Sequence, residues 1–492
     1  MKGRHSGGVD MHRRRVKGQL ELADDSPRFT VEINPDNRWV KLAELMPWDE
    51  IAEHYAQSMC DDNGRNAVPS RVAYGAIYAK EMLGLTDEGL VEQIAENVYL
   101  QYFLGRQEYQ SKPMFDSSMM VHFRRRFTPE FVSAVSDYIC LGKWPEERDP
   151  NEPPPPPDPM IEKKGTLQLD ATVGESDVRY PNDVMLLDEC RENLEAFIDG
   201  IWEGSDRQGH KTPYSRKKAH KKIINYIKKK RKSQSLIKAA LNDQIQYVGL
   251  AIRQLVSLIL SIGLDCLTER QWDRFDLICR VYLQQKEMYD NNTNRCEGKI
   301  LNLRQPHVRA ILRGKARSKY EYGQKLALSL VDGYAFVEKQ SWDNFNEGIT
   351  LQESVFRYYH RFGYFPEAIL ADQIYRTRDN VAFCKSYGIR LTGPKLGRKA
   401  AGQEEQEKKL AYQDSCKRNA IEGANGVLKR RYGLDLIMCI LPHNAEVEAQ
   451  LQILAMNLQR KLRLLLSFFS KRVVLGLFGL GCTEPMLLGM NG

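Results

Sequence analysis

The sequence predicts an α/β protein preceded by an all-α module, on three observations. Strand-like and helical periods alternate through the second half of the chain, a proline run sets that half apart from a helical stretch, and one strand pair carries the strongest short hairpin signal a sequence offers. The chain of 492 residues leaves room for about three units, each large enough to bury a core.

Residues 1–25 read as a basic flexible tail, without the apolar core of a secretory signal. The module at 26–145 reads as helical. Arg71 to Leu83 (RVAYGAIYAKEML) places apolar residues at helical intervals, and Thr86-Asp87-Glu88 is the acidic start of the next helix. Thr128-Pro129-Glu130 is another start, with proline where no amide bond is lost. Just before it, Arg124, Arg125 and Arg126 stand between Phe123 and Phe127. Such arginines can grip phosphates while the rings anchor the helix, and a solvated basic helix end is the alternative. A linker at 146–164 contains NEPPPPPDP, a stiff spacer that joins no core.

The second module is expected at 165–470, with a tail at 471–492. Thr166 to Val173 (TLQLDATV) alternates as a strand does, and a mainly helical insertion follows at about 182–304. Lys325 to Val331 and Tyr334 to Gln340 are two strands separated by Asp332-Gly333. Trp342 to His360 reads as helix, Ala368 to Ala371 as a short buried strand, Val381 to Tyr387 as helix and Ile389 to Leu391 as strand. Ser415 to Arg431 and Asn444 to Phe469 are the last two helices.

Composition narrows the class. Apolar residues at 42% and charged residues at 28% suit a globular protein. No apolar run approaches the ~20 residues of a membrane span, so no membrane role is expected. Ten scattered cysteines without a C-x-x-C pair read as reduced thiols, pointing to the cytoplasm, and none has zinc spacing. Of the net charge of +8, twelve lysines and arginines with no acid fall between Arg207 and Lys232, which leaves the rest of the chain at −4. That run includes Lys217, Lys218, Lys221, Lys222, Lys228, Lys229, Lys230, Arg231 and Lys232. A local basic surface on a near-neutral body points to a polyanion, nucleic acid first; a solvated basic helix is the other reading.

A hairpin followed by helix-linked strands is the element order of a ribonuclease H-like core, a mixed five-stranded sheet flanked by helices. There the first strand lies centrally beside the fourth, and the carboxylates at their ends, here Asp170 and Asp372, approach each other. With a third carboxylate they suit a pair of Mg²⁺ ions about 3.5–4 Å apart, the clamp of phosphoryl transfer; Mn²⁺ is a plausible substitute. Glu422 is the candidate: Arg418, Glu422 and Lys429 fall within roughly 40° of one helix face at ~100° per residue, and Asn425 shares it. A surface Arg–Glu pair is the bland alternative. Other acids and histidines carry less. Asp332 is a turn device, Asp379 and Asp414 suit capping or solvated roles, and His307 and His360 lack partner spacing.

The stretch RNAIEGANGVLKRRYGL (Arg418 to Leu434) closely resembles the Y-(2)-R-(3)-E-(6)-K signature of bacterial insertion-sequence DDE transposases. LQLDATV with Tyr180-Pro181-Asn182-Asp183 resembles that family's first-aspartate region, AILADQIY its second, and Arg304 to Asp332 its approach to the central hairpin. PWDEIAEHY, GLTDEGLVEQIAEN and FLGRQEY resemble the helical InsH-type domain of one branch. The resemblance spans about residues 26–465. Ser415 stands where the signature has Tyr, and Asp372-Gln373-Ile374-Tyr375 replaces Asp-x-Gly-Tyr, so the local turn must differ.

The resemblance implies Asp170, Asp372 and Glu422 as catalytic metal ligands, with Arg418 and Lys429 on substrate phosphates. It implies Mg²⁺-dependent cleavage at terminal inverted repeats, strand transfer into target DNA, a homodimer holding two ends, and a bacterial, nucleoid-associated location. Asn444 to Phe469 offers an apolar face for such a dimer or for the chain's own core. A DNA-binding relative that has lost catalysis is the alternative; the three intact carboxylates favour the enzyme.

Overall fold

The computed structural model describes residues 32–59, 67–145, 156–157, 161–204, 216–312, 320–393 and 404–477. Expectations for the basic tail, most of the proline linker, Arg207 and Lys211, and the end of the carboxy-terminal tail lie outside the described residues. In chain order the helices before the first strand are α1 (Arg38–Leu45), α2 (Trp48–Gln57), α3 (Ser70–Leu83), α4 (Asp87–Glu96), α5 (Val98–Phe103), α6 (Met119–Arg125) and α7 (Pro129–Leu141). Strand β1 (Thr166–Glu175) precedes α8 (Asp183–Glu203), α9 (Arg216–Lys228), α10 (Gln234–Ile262) and α11 (Glu269–Asp290). Then come β2 (Arg309–Leu312), β3 (Tyr320–Val331), β4 (Tyr334–Ser341), α12 (Leu351–Phe362), β5 (Ala368–Leu370), α13 (Arg378–Ser386), β6 (Arg390–Leu391), α14 (Glu404–Tyr432) and α15 (Pro442–Leu477). The chain divides into two compact units.

The first unit takes in the described residues through Glu175, Lys325–Ser341 and those from Phe345 onward. Its strands run β4, β3, β1, β5, β6, with β3–β4 antiparallel and β1–β5–β6 parallel. Asp332 and Gly333 turn the β3–β4 hairpin with φ of +49° and +80°, the twist a two-residue connection needs. Leu167 and Leu169 of β1, Ile369 of β5 and Ala371 just beyond it join a core with Leu351, Val355, Phe356 and Tyr358 of α12. The opposite face therefore carries the even-numbered residues, among them Asp170.

Helix α15 packs within this unit against α3, α6, α7 and β4. Its Ala445, Val447, Leu451, Leu454, Leu458 and Leu462 are buried, so this stretch of the predicted apolar face serves the chain's own core. Asn457 closes the edge of β4. It accepts from the Ala335 N–H at 3.0 Å and donates to the Ala335 carbonyl at 2.7 Å and to Ser136 at 2.9 Å. Thr86 and Thr128 cap α4 and α7 as their sequence positions require. The predicted helix from Trp342 begins only at Leu351, because Asn346 accepts from the Gly348 N–H and starts a 3-10 turn, Glu347–Thr350, ahead of it.

The second unit comprises Ser176–Gln324 and Trp342–Asn344. Its core gathers Leu187, Leu194 and Ile198 of α8, Val248, Leu255 and Ile259 of α10, and Ile278 and Val281 of α11. Strand β2, which the sequence pattern does not announce, pairs antiparallel with the first residues of β3. Arg191 is buried between Asp188 and Glu195, both at 2.6 Å, and Arg216 of α9 reaches Glu195 at 2.8 Å. Among the described residues, α10 is long and apolar enough by composition to pass for a membrane span, a test that a helix packed in a core also passes. Its apolar excess arises where one face meets α8 and α11 while Leu250, Val256 and Leu260 stay exposed. Among the described residues, Cys140, Cys190, Cys266, Cys279, Cys296, Cys384, Cys416 and Cys439 are free thiols, as their spacing suggests.

In the first unit Arg361 of α12 is buried between Asp137 of α7 at 3.0 Å and Glu338 of β4 at 2.7 Å. Removing one partner of such a network leaves an uncompensated charge in the core. Arg361→Met should lower the unfolding free energy by about 3–5 kcal/mol in denaturant titration.

Candidate active site

Asp170 lies in β1, and Asp372 follows the end of the adjacent strand β5. Thr166 pairs with Ala368 and Gln168 with Leu370. The paired register ends at Leu370, and Asp372 follows two residues beyond it, at the end of the sheet where β1 carries Asp170. Asp372 then caps the 3-10 turn Gln373–Tyr375, accepting from the Gln373 N–H at 2.7 Å. This turn needs no positive φ at Ile374, which is how the chain accommodates a β-branched residue there. Tyr375 at its end is fully buried. Burial first, then the charges of Glu347, Asp170 and Asp372, holds its phenol well above the usual range.

Helix α14 supplies the remaining groups from one face. Arg418 donates from Nη1 to Asp372 Oδ1 at 3.1 Å and from Nη2 to Glu422 Oε1 at 3.0 Å. Both nitrogens belong to one planar guanidinium, so the two acceptor oxygens lie within ~8 Å of each other. One turn on, Asn425 donates from Nδ2 to Asp170 Oδ2 at 2.7 Å. Lys429 reaches Glu175, at the end of β1, at 3.1 Å. The face drawn from spacing is thus the face turned to the sheet, with Lys429 on a carboxylate in this state.

Side chains of Asp372 and Glu422 are 63% and 55% exposed, so solvent reaches both. Their pairing on one guanidinium shows that they already share a single positive charge. Carboxylate oxygens are the donors a hard divalent cation takes, and Asn425, which bonds Asp170, has a buried Oδ1 without a partner among the described residues. The set fits such a cation. As the side chains stand, no group of three or more His, Cys, Asp or Glu among the described residues closes around one point. Arg418 holds Asp372 and Glu422, and Asn425 holds Asp170.

The basic residues fall into different places. On α9, Ala219, Ile223 and Tyr226 face inward at helical spacing, leaving Lys217, Lys218 and Lys221 exposed. Lys222 is paired with Asp243. Lys228, Lys229, Lys230, Arg231 and Lys232 are exposed, with Lys232 over the Tyr226 ring. Arg125 is exposed, and Arg126 donates to the Ser58 carbonyl at 2.9 Å.

Arg124 corrects the sequence reading. It is 3% exposed and locked in a two-pronged pair with Asp87, out of reach of any phosphate. Met120, Phe123, Arg124 and Phe127 share the helix face that is buried, a spacing visible in the sequence. Asp414 differs as well: it is buried against Arg390 rather than capping or solvated. His307 packs edge-on against Trp342, and burial, then Arg309, pushes its pKa down to about 4.

Comparison with known proteins bears on both ends of this chain. Residues 369–459 match the family model described as Transposase DDE domain, and residues 28–126 match Transposase domain (DUF772). A curated protein of Rhizobium meliloti, "Uncharacterized protein ORF8 in nfe locus", is 34% identical over 113 residues, 23% of this chain and 53% of that protein. The chain therefore spans about half the length of that relative. No solved structure matches.

The burial of Arg124 and the exposure of Arg125 separate their roles. Arg124→Ala should cost several degrees of melting temperature, since it leaves Asp87 unpaired, whereas Arg125→Ala should leave the melt unchanged. Thermal unfolding of the two variants checks this.

Proposed function

We propose that this chain, a member of the insertion-sequence DDE transposases through its two matching segments, cuts and joins DNA with Asp170, Asp372 and Glu422 as its metal-holding carboxylates. The observation that carries the reading is their gathering on one helix. A single guanidinium of α14 bonds Asp372 and Glu422, and the next turn bonds Asp170. The strand order β4, β3, β1, β5, β6, with Asp170 on β1 and Asp372 just after β5, supports a ribonuclease H-like core.

Bound divalent cations, two Mg²⁺ with Mn²⁺ as a substitute, would polarise the scissile phosphate and make water a better nucleophile. The protein's part is to hold and orient. The three carboxylates present hard oxygens from two strands and a helix, so their separation is set by packing rather than by loops. Arg418, once released from Asp372 and Glu422, has a planar fork suited to a phosphate; Lys429 offers a point charge further along the helix.

Exposed Arg125 and the lysines of α9 and of 228–232 serve as further phosphate contacts on double-stranded DNA. The reaction is hydrolysis at the element's terminal repeats, freeing a 3′ hydroxyl, followed by attack of that hydroxyl on target DNA. No covalent protein intermediate is required. Two ends must be held at once, which favours a homodimer in the DNA complex.

Asp170→Asn, Asp372→Asn and Glu422→Gln should each cut Mg²⁺-dependent nicking of the terminal repeats by more than ~100-fold, beyond what outer-shell changes cost. DNA binding should be retained. Equal nicking by wild type and Asp170→Asn would remove that residue from the mechanism; tight binding by a wild type that never nicks would favour the inactive relative. Neutralising Lys228 to Lys232 should flatten the dependence of log affinity on log salt, by roughly 0.9 for each phosphate no longer neutralised. An unchanged slope in filter-binding titrations would place the run away from DNA.

A further inference from the structure

Two short turns next to Asp372 each hold one isoleucine out in solvent. The turn Gln373–Tyr375 is capped by the Asp372 side chain itself; Asp372, Gln373 and Ile374 are all exposed, and Tyr375 alone turns into the core. Ile374 is 47% exposed there. In the turn Glu347–Thr350, Ile349 is 62% exposed while Gly348 and Thr350 are buried.

The two turns are fastened to each other from within. Asn380, buried in the first turn of α13, donates from Nδ2 to the Gly348 carbonyl at 2.7 Å and to the Tyr375 carbonyl at 2.9 Å. The backbones approach so closely that a Cβ at Gly348 would lie 2.8 Å from the Ile374 carbonyl oxygen, which only glycine avoids. Lys325 pairs with Glu347 at 3.0 Å, and Thr350 donates to the Glu347 carbonyl at 2.9 Å. A single apolar side chain on a surface is ordinary. Here two stiff, β-branched ones stand on pinned backbone, one of them two residues from a candidate metal ligand. DNA seated on the acids offers such side chains its base steps, and rigid apolar groups are what proteins press between bases.

We propose that Ile374 and Ile349 form an apolar wedge that packs on the bases beside the scissile phosphate and unstacks that step. The inference rests on the carboxylate reading above and extends it from the phosphate to the neighbouring bases.

The test binds the full-length chain, in EDTA and again in Ca²⁺, to terminal-repeat duplexes carrying 2-aminopurine at successive positions, a base that brightens when unstacked. Wild type should brighten it severalfold at the step flanking the bond nicked in Mg²⁺. Ile349→Thr combined with Ile374→Thr keeps both side chains branched and shortens their apolar ends. The pair should lose the brightening and nick about 10-fold more slowly, with the melting temperature unchanged because both sites are exposed. If the pair melts early, the single variants Ile349→Gln and Ile374→Gln take its place. No brightening by wild type in either condition, brightening only at a step away from the nicked bond, or equal brightening by the variants overturns the inference. Asp170→Asn separates the two levels. If it stops nicking and still brightens the probe, acids and wedge both stand; if it nicks as wild type does, the carboxylate reading fails and the isoleucine variants still decide the wedge. A wild type that never nicks overturns both.

Discussion

Helix α14 is fastened to β1 at two polar points, Asn425 on Asp170 and Lys429 on Glu175, and the candidate site exists only while that fastening holds. Three acids near one another repel, and nothing in a sheet edge offsets that repulsion. The helix does, presenting Arg418, Asn425 and Lys429 as donors on the same stripe as the acid Glu422. Backbone bonds secure its far end. The Glu175 N–H donates to the Leu434 carbonyl at 3.1 Å and the Ile437 N–H to the Glu175 carbonyl at 2.7 Å, so the chain leaving α14 returns to the last residue of β1.

The two segments that match transposase models are joined through α15. Lys80 of α3 pairs with Glu81 at 2.8 Å and with Glu448 of α15 at 3.6 Å, and Gln452 donates to Glu81 at 3.3 Å. Burial opposes the charge on Lys80, but Glu81 and Glu448 outweigh it and hold its pKa above the usual value. A buried cation held by acids from two segments ties the early helices to the later ones more specifically than apolar contact would. The helices before β1 and the strands around Asp170 share one compact unit.

Much of this is legible in the sequence because the signals are local. Asp332-Gly333 has one conformational solution, TLQLDATV alternates, and the spacing from Arg418 to Lys429 defines a helix face whatever it packs on. What escapes the sequence depends on distant partners. Arg124 looks like one of three equivalent arginines until Asp87, from a helix earlier in the chain, claims it. Strand β2 is four residues long and takes its shape from β3. Trp342 reads as helical by composition, but the capping side chain of Asn346 decides where the turn begins. Asn425 is visible as a member of the face, while its burial and its unmatched oxygen are not.

The reliance of the site on a single uninterrupted helix gives it an unforgiving reading frame. Adding or deleting one residue between Glu422 and Asn425 would rotate everything downstream by ~100°, parting the arginine and glutamate from the asparagine and lysine at a stroke. Length changes before Glu404 or beyond Tyr432 carry no such penalty for the face itself. Drift in this chain is therefore free to lengthen or shorten the approaches to the helix, and confined to like-for-like exchange within it.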